Sequence, residues 1–117
     1  MSVYRVLLRM HVMPGQEKRF ELAWREGART IAREPANVAQ SLSRSDAEPG
    51  VYYIVSDWLD ERGFRAYEGS ERHRAHRARL HPYRSSGSMT TMTVVDATAG
   101  LGGQPGARIE SGSVHVG

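Results

Sequence analysis

His73 and His76 stand three residues apart in an arginine-rich stretch, a spacing that puts both imidazoles near one face of a helix. No carboxylate accompanies them at a familiar ligand spacing, and histidines among arginines are usually solvated, so no metal is expected. The chain has no cysteine, which removes disulfides, thiolate metal sites, iron–sulfur clusters and a cysteine nucleophile. What an imidazole can still do is accept a proton from a weak acid near pH 7, and this makes His73 a candidate general base. Tyr67 offers a phenolic hydroxyl, as do Tyr52 and Tyr53, although each also suits simple packing. Arg84, after Tyr83, can stabilise a phenolate or enolate. The catalytic candidates are therefore His73, Tyr67 and Arg84. Trp58, Tyr52, Trp24 and His11 are the candidates for holding a substrate. Trp58 reads equally as a pocket wall and as a core aromatic, and His11, beside Arg9, faces either a pocket or a subunit seam.

The elements that must position these residues can be read from periodicity. Residues Tyr4 to Met13 alternate, with Val6, Leu8, Met10 and Val12 on one side, and predict a first strand that Pro14-Gly15 ends. Phe20, Trp24, Gly27/Ala28 and Ile31 recur at helical spacing, predicting a helix over about 16–34 that Pro35 stops. A weaker strand follows over 38–44, then Glu48-Pro49-Gly50 and a strand over 51–58 dense in β-branched and aromatic residues. Asp60 can cap a second helix with a thin apolar stripe of Phe64, Tyr67, Ala75 and Ala78, closed by His81-Pro82. A last strand is expected over 89–95.

The order βαββαβ predicts an α+β, ferredoxin-like domain over residues 1–97, with both helices on one face of an antiparallel sheet. Beyond it, 98–117 is a Gly-rich tail whose end alternates faintly and can add an edge strand. A chain of 117 residues with 39% hydrophobic content has room for one such domain. The bare sheet face predicts a homodimer, two sheets closing face to face around an apolar ligand pocket as a dimeric α/β barrel. The net charge of +3 comes from an arginine-rich chain with one lysine, Lys18, and carries no nucleic-acid motif. The glycines at 100, 102 and 106 do not keep dinucleotide-binding spacing. No signal core or membrane span is visible, so a cytoplasmic protein without membrane or nucleic-acid partners is expected.

Three segments carry a resemblance over residues 3–95: Leu8-Arg9-Met10-His11-Val12-Met13-Pro14-Gly15, Ser56-Asp57-Trp58 running on to Phe64-Arg65-Ala66-Tyr67-Glu68-Gly69-Ser70-Glu71-Arg72-His73, and Ser86-Gly87-Ser88-Met89. Through them the chain resembles the small antibiotic-biosynthesis monooxygenases of aromatic polyketide pathways. The resemblance implies a dimeric, cofactor-independent oxygenase that converts a phenolic or anthrone-type polycycle to a quinone with molecular oxygen as co-substrate. It also implies that Trp58 lines the substrate pocket. The Asn four residues before that Trp and the Tyr six residues after it, which hold substrate in the best-known members, are here Ile54 and Phe64. Three other readings stay open: a polyketide cyclase of the same fold, a haem-degrading relative, and a non-catalytic ligand-binding dimer. Against haem, the first strand lacks the Asn of that type.

Overall fold

A computed structural model of the chain describes residues 2–103. Strands β1 (Val3–Val12), β2 (Asn37–Arg44), β3 (Val51–Trp58) and β4 (Arg84–Val94) form one antiparallel sheet in the order β2-β3-β1-β4. Helices α1 (Glu17–Ile31), α2 (Glu61–Glu68) and α3 (Glu71–Leu80) pack on one face of it. This is the ferredoxin-like α+β arrangement. Among the described residues no helix is long and apolar enough to cross a membrane.

Pairing in register fixes which side chains meet the helices. Tyr4, Val6, Leu8 and Met10 of β1 lie opposite Trp58, Ser56, Ile54 and Tyr52 of β3, all on the helix side. The core forms two clusters, one around Met10, Phe20, Tyr52, Ile54 and Leu80, the other around Val6, Ile31, Trp58, Phe64 and Tyr67. On the opposite face Leu7 pairs with Val55, but Arg5 meets Asp57 in a two-pronged ion pair at 2.7 and 2.9 Å, and Arg9 reaches Glu48 at 2.8 Å. The face expected to be apolar is thus apolar at its centre and ionic on either side.

Three boundaries differ from the sequence expectation, each for a local reason. Helix α1 stops at Ile31, because the next turn tightens through Arg33 N–H to Thr30 and Glu34 N–H to Ile31 before Pro35. The single second helix is two: Gly69 closes α2, and Ser70 caps α3 by accepting from the His73 N–H at 3.3 Å. Strand β4 begins at Arg84 rather than near Met89, because Ser86, Gly87 and Ser88 pair with His11, Met10 and Arg9, and tertiary pairing overrides their weak strand propensity. Gly50 sits at φ +78° in the turn before β3, its carbonyl accepting from the Val12 N–H at 2.8 Å, and the left-handed backbone there suits glycine. Residues Leu101–Gly103 make one 3-10 turn, and the rest of the expected tail, 104–117 with its edge strand, lies outside the described residues.

Candidate active site

A cavity of about 290 Å³ lies between the sheet and the helices, at the lower end of the size range of small-molecule pockets. Its walls draw on both core clusters, and most are apolar: Val6, Leu8 and Met10 from β1, Ile54 and Trp58 from β3, Phe64 from α2, Met89 from β4.

Helix α3 supplies three of the polar lining residues. His73, His76, Arg77 and Leu80 all line the cavity, at the i, i+3, i+4, i+7 spacing of one helical face. The alanines read as the buried stripe, Ala75 and Ala78, are exposed. Helix α3 therefore turns its two half-buried histidines inward beside the exposed Arg77, a pattern that hydrophobic periodicity cannot detect. Burial lowers the pKa of His73, helped by Arg77 and opposed by Glu68. His76 is pushed down to about 4, first by burial and then by Arg79 and His73. Both imidazoles are thus neutral at pH 7.

Tyr67 is buried, and burial together with Glu34 pushes its phenol up to about 12, so it is a hydrogen-bond donor rather than a base at neutral pH. Its hydroxyl has no partner within the described protein, and neither do the buried Nε1 of Trp24 and Nδ1 of His76. All three residues line the same cavity. Buried polar groups in folded proteins are nearly always paired, which makes the Tyr67 hydroxyl and Trp24 Nε1 candidate contacts for a bound ligand, whereas Nδ1 of His76 packs against Gly27 of α1.

Trp58 is both wall and core. It is only 1% exposed, stacks on Tyr67 at 5.1 Å between ring centroids, meets Phe64 edge-on at 5.6 Å, and donates Nε1–H to Ser56 Oγ at 3.0 Å. Ile54 and Phe64 both line the cavity and bring no polar group to it, so its polar contacts come from other positions, among them α3, Tyr67, Gln40 and Arg84.

Of the seven candidates, the fold brings Trp58, Tyr67, His73, Trp24 and Arg84 to this cavity. Tyr52 and His11 are elsewhere. Tyr52 is buried in the core, its hydroxyl donates to Glu21, and burial with that carboxylate pushes its pKa up to about 12. His11 lies opposite Val51 and Ser86 on the outer face of the sheet. Sequence reasoning missed Arg77 and Gln40 and considered His76 only as half of a metal pair. The position of Arg77, four residues after His73, was the available signal. Among the described residues no three His, Asp or Glu side chains converge as a metal site would require.

The sequence model of the antibiotic biosynthesis monooxygenase family matches residues 3–79. No curated protein matches the chain. Among solved structures, a Caulobacter crescentus protein named for the same family superposes with a TM-score of 0.75 at 22% identity, over 81% of this chain and 92% of that one. SnoaB of Streptomyces nogalater, described as a cofactor-independent oxygenase, gives 0.74 at 21% identity over 83% and 97%. A conserved protein of Methanosarcina mazei gives 0.72 at 14% identity over 79% and 92%. At these identities the likeness to the solved structures is one of fold.

Proposed function

The chain belongs to the antibiotic biosynthesis monooxygenase family, and on that footing we propose that it is a cofactor-independent oxygenase that converts a phenolic or anthrone-type aromatic polyketide to a quinone. The observation that carries this reading is the cavity itself: aromatic walls, two neutral imidazoles, one protonated phenol and two arginines. The description of SnoaB as cofactor-independent supports the absence of a helper group.

An electron-rich carbanion can reduce oxygen unaided, so the protein need only make the anion, hold it and exclude water. His73 takes the proton from the benzylic C–H of the anthrone. It is the better base of the pair, since its pKa falls less far than that of His76. Tyr67 donates to the oxyanion, and Arg84 offsets its charge. The carbanion passes electrons to O2, a C–O bond forms, and the distal oxygen regains the proton held by His73. Loss of water from that hydroperoxide, removing the second benzylic hydrogen, leaves the quinone carbonyl. The balance is anthrone plus O2 to quinone plus water. Trp58 and Trp24 hold the ring system.

The same reading places a second copy on the outer sheet face, where Leu7 and Val55 lie between the Arg5–Asp57 and Arg9–Glu48 pairs. The experiment for the function is to incubate purified protein with a hydroxyanthrone and with an uncyclised polyketide, with and without oxygen, and to identify products by mass. Quinone formed only in oxygen is expected. Oxygen-independent loss of water from the uncyclised substrate would assign the cavity to a cyclase, and tight binding without either reaction to a ligand-binding dimer.

A further inference from the structure

We infer that Ser56 and Gln40 form a hydroxyl-reading pair on the sheet side of the cavity, and that they select a substrate whose edge toward β2 and β3 carries a free phenolic hydroxyl. This rests on the aromatic-cavity reading above and deepens it, naming two residues that set specificity and take no part in the proton transfer.

The two are direct cross-strand neighbours, Gln40 on β2 opposite Ser56 on β3, and both are half-buried and line the cavity. Ser56 lies on the helix side of the sheet, and Gln40 reaches the same side, because its amide nitrogen donates to the Ala28 carbonyl of α1 at 2.7 Å. The sheet around them is apolar: Val6 of β1 flanks Ser56, and Leu42 and Ile54 form the next pair on the same face. Placing polar groups in such a floor costs free energy unless each is hydrogen-bonded.

Each residue has one group already engaged, and the groups left over are complementary. Ser56 Oγ accepts from Trp58 Nε1 at 3.0 Å, so its own O–H is left to donate. A carbonyl only accepts, so the Gln40 amide must turn its nitrogen to Ala28, and its oxygen is left to accept. Side chains of a cross-strand pair start about 5 Å apart at Cβ, close enough for one ligand oxygen to take the serine proton and give its own to the glutamine. A hydroxyl does both. A methyl ether only accepts and a methyl group does neither, so each leaves the Gln40 oxygen unpaired. The substrate is therefore taken before any O-methyl transfer to that position.

The test titrates the full chain calorimetrically with 2-hydroxyanthraquinone, 2-methylanthraquinone and 2-methoxyanthraquinone at about pH 6, where the phenol keeps its proton. The methyl group matches the hydroxyl in size and controls for fit. The wild type should bind the hydroxyl compound at least about tenfold more tightly than either analogue, the scale of a buried acceptor left unpaired. In Gln40→Met the preference over the methyl ether should fall below about threefold, because both compounds then only accept from Ser56. In Ser56→Ala the preference over the methyl compound should shrink at least about threefold. Should one variant fail to fold by circular dichroism, the other decides. Equal binding of the hydroxyl and methyl compounds by the wild type overturns the hydroxyl-reading pair and leaves the aromatic cavity standing. So does a folded variant that melts lower and binds all three more weakly with its preferences intact, the result of a role confined to tying β2 to α1. Failure of all three probes to bind overturns the two readings together.

Discussion

The imidazole of His76 lies against the Cα of Gly27, so close that a methyl group there would collide with the ring. Helix α1 thus gives up a side chain to let α3 carry its histidine inward. An alanine in a helix interior gains about 1 kcal/mol over glycine, whereas overpacking a tight contact costs about 1–3 kcal/mol. Gly27→Ala is therefore expected to destabilise the fold in urea by about 1 kcal/mol, and adding His76→Ala should remove that penalty. A single variant as stable as wild type would show that the ring moves freely.

The same histidine predicts a pH dependence. Its pKa in the folded chain is about 4, against an ordinary 6.5, because burial, Arg79 and His73 all oppose its charge. The unfolded chain therefore takes up this proton first as pH falls. Stability contributed by keeping the ring neutral is full above about 6.5 and is lost between there and about 4, on the order of 3 kcal/mol. His73 acts in the same direction. Urea titrations from pH 7.5 to 4 should show this fall in the wild type and a shallower one in His76→Gln; parallel slopes would contradict it.

Tyr67 separates function from stability in the opposite sense. Its buried hydroxyl bonds to nothing within the described protein, so Tyr67→Phe removes a polar group whose burial is uncompensated. The variant should melt no lower than wild type, with a gain of about 1 kcal/mol, and should bind hydroxyanthrones at least several-fold more weakly. A clear loss of stability would mean that the hydroxyl has a partner in solution.

Trp58→Phe should cost both. Loss of the indole removes the Ser56 hydrogen bond and part of the stack on Tyr67, lowering stability by about 1–3 kcal/mol. As a cavity wall it should also lower kcat/KM by about 1–2 kcal/mol of transition-state stabilisation. Melting and kinetics on one preparation decide this; unchanged kinetics beside a lower Tm would remove Trp58 from the site.

The sheet was legible because its signal is alternation: Val6, Leu8, Met10 and Val12 on β1 and the aromatic run of β3 could face only one way. Trp58 was found at the end of that run for the same reason. Helix α3 was not legible, because its inward face carries His73 and His76 where a core-facing helix carries apolar residues, and its alanines point to solvent. The break at Gly69-Ser70 was hidden by continuous helical spacing on either side, although a glycine followed by a serine is the signature of one helix ending and another being capped. Tyr52 belonged to the right strand face, and only the packing shows that Glu21 and the core claim it.

Oxygen uptake by protein dialysed against a chelator, with a hydroxyanthrone as the only other reactant, tests the central claim most directly. The account predicts saturable consumption of one O2 per quinone, well above the spontaneous rate and at least about a hundredfold slower in His73→Ala, the low end of what a general base contributes. Uptake no faster than in buffer, or uptake that chelation abolishes and one added metal restores, would contradict it.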